Sequence, residues 1–309
     1  MRKLFLVCIT TYIFMFLSGC GVHSVEQTTT IEAPLYKGSS ADNTNCSEQL
    51  ETSDSDTASD AETTPSVPNR ATYATEEESS SLTEASYTPV SDGIKETVSP
   101  SELHKVVYLT FDDGPSKYTE ELLDILAKYN VKATFFTVGS KYEDIIKKEY
   151  EAGHTVAVHT STHDYSKIYK NIDAYFEDLY EQQATIKRLT GIEANLIRFP
   201  GGSSNSTSKL YCPGIMTVLT NEVTERGFYY FDWNVSSGDG SPTSIGTEKV
   251  FSNVTEGIKA HDISVVLQHD SKKYSIDAVE SIIKWGLENG YTFLPLDENS
   301  FDAHHTVTN

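Results

Sequence analysis

From position 104 onward, short apolar, β-branched and aromatic runs alternate with longer stretches whose apolar residues recur every three or four positions. The short runs, at 106–111, 133–138, 155–159, 196–199, 228–235, 264–269 and 291–295, have the length and residue types of β-strands. Between them 120–129, 142–151, 173–189, 215–226, 249–260 and 276–288 carry helical periodicity, and Asn130, Gly153, Gly191, Gly227 and the Asn289-Gly290 pair supply stop signals. Seven strands alternating with helices predict an α/β fold with a parallel sheet, closed or nearly closed into a (β/α)7 barrel rather than left open.

The first hundred residues read differently. Arg2 and Lys3 precede an apolar run at 4–17 and then Ser18-Gly19-Cys20, the pattern of a secretory signal peptide, too short for a membrane span. Leu17-Ser18-Gly19-Cys20 also resembles a bacterial lipobox, which makes 1–20 a lipoprotein leader and Cys20 the lipidated first residue of the mature chain. Residues 21–100 hold 27 Ser or Thr, 15 acidic and only 3 basic residues, with no Phe or Trp. Such a segment buries too little apolar surface to offset its chain entropy, so a disordered acidic linker is expected, with the folded domain at 101–309. The overall charge of −21 disfavours nucleic acid or anionic lipid as the main partner. Four cysteines, Cys8, Cys20, Cys46 and Cys212, do not imply a disulfide framework. No glycine-rich dinucleotide fingerprint or P-loop is present, so no nucleotide cofactor is expected.

In parallel α/β folds the chemistry gathers at the carboxyl ends of the strands. The first strand delivers Asp112-Asp113-Gly114-Pro115, two adjacent carboxylates of which one can bind a metal while the other takes a proton. The third ends His159-Thr160-Ser161-Thr162-His163, two imidazoles four apart, the spacing of one face of a helical turn, and a carboxylate can complete a His-His-Asp set for a transition metal. The sixth brings His269 to the same rim, and the fourth ends Arg198-Phe199-Pro200-Gly201-Gly202, where the arginine can hold a carboxylate and the glycines expose backbone N–H groups. Taken singly each motif has a structural reading: a turn, a core histidine, a salt-bridged loop.

Together and in this order, over about 105–296, these motifs resemble the polysaccharide deacetylases of the NodB-homology type, carbohydrate esterase family 4, and most of all Gram-positive peptidoglycan N-acetylglucosamine deacetylases. The resemblance implies a distorted (β/α)7 barrel and a divalent metal, zinc or alternatively cobalt, on Asp113, His159 and His163. It makes Asp112 the general base, His269 the general acid and Arg198 the residue that orients Asp112. Pro200, Gly201 and Trp233 then shape the substrate groove, with the Gly201 N–H as oxyanion donor. The family's third motif carries an aromatic residue where this chain has Gly201. Its fourth aligns in two ways: Trp233-Asn234-Val235 through Asp239-Gly240 makes Asp239 the support of His269, and the literal Asp232-Trp233 makes it Asp232. Asp239 is favoured because Trp233 and Val235 then fall in register. Residues 203–214 look like an insertion over the site mouth, with Cys212 a packed free thiol.

The resemblance implies a monomeric hydrolase removing N-acetyl groups from a cell-surface polysaccharide, peptidoglycan first. The lipobox places it on the extracytoplasmic face of a bacterial membrane. The alternatives are a deacetylase of chitin, xylan or exopolysaccharide, and a carbohydrate-binding lipoprotein without turnover.

Overall fold

The computed structural model describes residues 104–309. The leader expected at 1–20, the linker at 21–100 and the lipidation site Cys20 lie outside the described residues. Among those described, no helix is long and apolar enough to cross a membrane.

Strand and helix alternate as the pattern predicts: β1 (Val106–Gly114), α1 (Thr119–Lys128), β2 (Thr134–Val138), α2 (Asp144–Glu151), β3 (Thr155–Thr160), α3 (Tyr165–Ile168), α4 (Ile172–Thr190) and β4 (Leu196–Ile197). They continue through α5 (Ile215–Glu225), β5 (Tyr229–Tyr230), β6 (Val235–Ser236), α6 (Thr247–Lys259), β7 (Ile263–His269), α7 (Lys273–Glu288) and β8 (Thr292–Phe293). The helix ends follow local chemistry. In α4 the Asn171 side chain accepts from the Ala174 N–H, Asp173 lies in the first turn, Lys187 and Arg188 in the last, and Gly191 closes the helix in the left-handed region.

All strand pairs are parallel, in the order β5-β4-β3-β2-β1-β7-β6, with β8 on β1. The run expected as one strand at 228–235 is two short strands at opposite ends of this order, because the chain leaves the sheet between Tyr230 and Val235. The result is a distorted barrel with a seam between β5 and β6. Arg198 bridges that seam, its Nε donating to the Phe231 carbonyl (2.9 Å) and its Nη2 to that of Asp232 (2.8 Å).

Alternation along β1 sorts the core. Val107, Leu109 and Phe111 pack outward against α1, α6 and α7 residues such as Leu122, Val254 and Ile282, while Val106 and Tyr108 join Phe136, Ala157 and Val265 inside the barrel. A third cluster, including Val158, Tyr169, Tyr175, Phe199 and Leu219, closes the β3–β5 side. Cys212 belongs to this cluster and is disulfide-bonded, which corrects the free-thiol expectation. A sequence with scattered cysteines shows no spacing from which one bridge can be read.

One core residue breaks the apolar pattern. Both carboxylate oxygens of Glu149 in α2 are buried with no hydrogen-bond partner among the described residues. Burial, reinforced by the charge of Asp270, holds its pKa well above the ordinary 4.5. The native state therefore keeps a proton that the unfolded chain releases, and stability declines as pH rises from about 4.5 towards the raised value. Glu149→Met, which roughly conserves volume, is expected to stabilise by on the order of 1–3 kcal/mol at about pH 8 and by less at about pH 4. Urea unfolding at the two pH values measures this, and no gain at the higher pH would contradict it.

Candidate active site

Two bulges build the site. Successive strand residues normally point to opposite faces, yet Asp112 and Asp113 both serve one rim. In the β1–β2 register Asp112 pairs with Phe136 and Gly114 with Thr137, so Asp113 is the extra residue, with φ of +69°. The β2–β3 register slips in the same way, Thr137 pairing with Val158 and Val138 with Thr160, which leaves His159 as the extra residue there.

His163 is not on a helical turn with His159, as its spacing suggested. His159 is the last residue but one of β3, and His163 follows a tight turn in which it takes φ of +52°, before α3 begins. The turn is held from below by Asp178 of α4, whose buried carboxylate accepts from the Ser161 N–H (2.6 Å), the Thr162 N–H (3.0 Å) and the Thr162 hydroxyl (2.6 Å). Four residues of β end plus turn thus bring the two rings to 5.1 Å between centroids.

One ligand atom each from Asp113, His159 and His163 lies within 4.8 Å of the others. Asp113 Oδ1 is 3.7 Å from His159 Nε2 and 3.4 Å from His163 Nε2. The set fits a divalent cation. Asp113 Oδ1 is buried with no hydrogen-bond partner among the described residues, an orphan that an ion would satisfy. His159 Nδ1 donates to the Arg198 carbonyl (2.7 Å), leaving the Nε2 lone pair towards the cluster, and burial pulls that imidazole's pKa down against the charges of Asp112 and Asp113. A neutral, tautomerically fixed imidazole is what metal binding needs.

Asp112 sits beside this cluster without joining it, its Oδ2 4.0 Å from His159 Nε2. Its Oδ1 accepts from Arg198 Nη1 at 2.8 Å, both side chains being buried. The same Nη1 donates to the Thr110 hydroxyl (2.7 Å), and the guanidinium lies over the Phe136 ring. Arg198 therefore has all its polar edges committed to β1 and to the seam, and Asp112 is held rigidly.

The two alignments of the supporting acid separate cleanly. Asp239 Oδ1 lies 2.7 Å from His269 Nδ1, and its Oδ2 accepts from the His269 N–H at 2.8 Å. Asp232 faces elsewhere: it accepts from the Ser203 N–H and hydroxyl and from the His305 N–H, tying 203–204 to the C-terminal tail. Burial alone would lower the His269 pKa, but the Asp239 hydrogen bond and charge, with Asp112 and Asp113, raise it to about 9. The same contact holds Asp239 below the usual carboxylate value in spite of its burial. His269 Nε2 points at Asp113, 3.9 Å from its Oδ2.

The loop after β4 starts at Arg198, which is bonded to Asp112. Gly201 and Gly202 both have φ of +78°, and among the described residues the Gly201 N–H donates to no protein acceptor. The Pro200 carbonyl is taken by the Tyr169 hydroxyl (2.7 Å) and Asn205 Nδ2 (3.1 Å), so it faces the protein. The Trp233 ring packs edge-on to His305 and close to Gly202, where an added Cβ would lie 3.0 Å from it. Residues 203–214 are pinned at one end by Asp232 and at the other by Asn309, which binds Gly214 and Ser208.

Sequence reasoning missed Asp178 and Asp270. Asp178 lies inside an amphipathic helix, where an acidic residue reads as solvent-facing. Asp270 directly follows His269, and that adjacency was the available signal. Its carboxylate accepts from the Thr119 hydroxyl and packs on Gly114, where no Cβ would fit. Burial first, then the charge of Asp113, pushes its pKa up to about 7.

The polysaccharide deacetylase family profile matches residues 100–212. A peptidoglycan-N-acetylglucosamine deacetylase of Bacillus cereus is 38% identical over 204 residues, which cover 63% of this chain and 71% of that protein. Among solved structures, the catalytic domain of a peptidoglycan N-acetylglucosamine deacetylase from Eubacterium rectale is 55% identical, with a TM-score of 0.67 over 69% of this chain and 99% of that one. The polysaccharide deacetylase Bc1974 from Bacillus cereus follows at 36% identity and a TM-score of 0.55, over 64% of this chain and 94% of that one. This chain belongs to the polysaccharide deacetylase family. It is accordingly a polysaccharide N-deacetylase, an amide hydrolase on the NodB-type barrel.

Proposed function

We propose that the protein is a metal-dependent deacetylase of N-acetylglucosamine in peptidoglycan. The observation that carries the reading is the convergence of the orphaned Asp113 Oδ1 with two histidine Nε2 atoms, flanked on one side by Asp112 and on the other by His269. The substrate assignment is supported by the B. cereus and E. rectale deacetylases to which the chain is similar.

Asp113, His159 and His163 would hold the ion. When bound, it supplies Lewis acidity towards the acetamide and makes water a stronger acid. Asp112 takes up the proton of the attacking water, and Arg198 keeps that carboxylate aimed. As the amide carbonyl becomes tetrahedral, its oxygen gains charge, and the Gly201 N–H, which has no protein acceptor among the described residues, donates to it. His269, held by Asp239 with one nitrogen and presenting the other to the site, protonates the departing amine. The products are acetate and a glucosamine unit.

Zinc is the expected ion, with cobalt an alternative that a His-His-Asp set also accepts. The leader and lipobox support an extracytoplasmic position with Cys20 lipidated, which puts the enzyme beside its wall polymer. The test is acetate release from purified peptidoglycan and from chitin oligosaccharides, with metal analysis of the purified protein. The reading expects release that is lost on chelation and restored by one divalent ion. Chelator-resistant turnover would contradict metal dependence, and activity confined to chitin would contradict the peptidoglycan assignment.

A further inference from the structure

Gly201 leaves a gap in the wall of the site, and a residue from a different element fills it. A Cβ built on Gly201 would lie 2.6 Å from the Tyr165 hydroxyl and 3.2 Å from Asn205 Cγ. Tyr165 is the first residue of α3, a single turn whose start is fixed by Asp164 accepting from the Ser166 N–H (2.9 Å). Its ring meets the His163 ring edge-on at 5.6 Å and the Tyr169 ring edge-on at 5.3 Å. Tyr169, fully buried one turn later, donates its hydroxyl to the Pro200 carbonyl. Two tyrosines therefore brace the 200–202 loop against the turn that carries His163. Tyr165 thus meets the Gly201 backbone with its hydroxyl and the ring of His163 with its own ring.

The Tyr165 hydroxyl has no hydrogen-bond partner among the described residues, although its side chain is only partly exposed and Asn205, Pro200 and Tyr169 satisfy one another close by. The hydroxyl is not among the buried unpaired atoms of the described residues, so it reaches solvent, where its donor and acceptor remain available to a polar ligand. Next to it the Gly201 N–H also has no protein acceptor among the described residues. Two donors side by side, one on the loop after Arg198 and one beside the turn that carries His163, make a surface complementary to a polar, uncharged substrate group. The hydroxyls and acetamide of an amino sugar are such groups.

We infer that Tyr165 is a substrate-contacting residue, its hydroxyl hydrogen-bonding the N-acetylhexosamine unit held against Gly201 and thereby supplying from α3 the side-chain function that position 201 lacks. The inference rests on the deacetylase reading above. Because Tyr165 arrives through the His163 turn, placing the sugar and placing that ligand are geometrically linked.

Tyr165→Phe removes one oxygen and keeps both ring contacts. With a β-1,4-linked N-acetylglucosamine pentasaccharide as probe, kcat/KM should fall about 3- to 10-fold, the size of one neutral hydrogen bond. The unfolding midpoint and the divalent-ion affinity, from competition with a chromogenic chelator, should stay at their wild-type values. A variant with wild-type kcat/KM would overturn the inference. So would a loss accounted for entirely by weaker ion binding, since Tyr165 would then act only by positioning His163. If the wild-type enzyme itself releases no acetate from the pentasaccharide or from peptidoglycan, the deacetylase reading fails instead.

Discussion

Asp112→Asn is expected to lower kcat by roughly 10²- to 10⁴-fold, the usual contribution of a general base, while leaving the bound-metal content unchanged. The asparagine oxygen can still accept the Arg198 Nη1 hydrogen bond that Asp112 Oδ1 accepts at 2.8 Å, so the buried guanidinium keeps its partner and the loop its position. What disappears is the second, basic oxygen, which lies outside the ligand set, 4.0 Å from His159 Nε2. Paired measurements of turnover and of metal per protein check the outcome. A fully active Asn variant would take the base role away from Asp112, and an inactive variant that had also lost its metal would make Asp112 a ligand rather than a base.

His159→Ala should fail in the other way. Removing it deletes one of three converging ligand atoms and also frees the Arg198 carbonyl that Nδ1 engages at 2.7 Å. Loss of an outer partner of a metal ligand typically weakens binding about 10- to 100-fold, and loss of a ligand itself should exceed that. Divalent-ion affinity measured by chelator competition is therefore expected to fall by more than about 100-fold, with activity falling in parallel. Retention of wild-type affinity would exclude His159 from the site. The two variants separate proton transfer from ion binding, the division of labour proposed for Asp112 on one side and for Asp113, His159 and His163 on the other.

Much of this site is legible before any coordinates. Strand ends are where a parallel barrel collects its chemistry, and the tandem Asp112-Asp113, the His159/His163 pair and His269 all fall there. Order and spacing do not carry the local geometry that makes neighbours cooperate. Period-two alternation would send Asp112 and Asp113 to opposite faces, and only the register slip at Asp113 brings both to the rim. The four-residue spacing of the histidines suggested a helical turn, but a strand end and a left-handed residue achieve the same approach. Asp232 and Asp239 were both admissible partners for His269 on alignment. Asp239 takes that place because it follows β6, next to β7 in the sheet, whereas Asp232 precedes β6 at the seam and anchors the tail. Residues acting through the backbone of another segment, such as Asp178 beneath the His163 turn, leave no periodic trace at all.

The same logic explains why 228–235 is two strands and not one. Residues 228–235 have a continuous β-like composition, and composition does not show that Phe231 and Asp232 present their carbonyls to Arg198 instead of to a neighbouring strand. A buried arginine from β4's far end closes the barrel where the ladder stops. That closure and the rigid placement of Asp112 are therefore one feature.

The most direct measurement is an anomalous difference map from crystals grown with zinc, collected at the zinc absorption edge. A single strong peak is predicted about 2.0–2.2 Å from Asp113 Oδ1, His159 Nε2 and His163 Nε2 together, with Asp112 and His269 outside bonding distance. A peak at another set of side chains, or none in crystals of protein that still releases acetate after exhaustive chelation, would contradict the account.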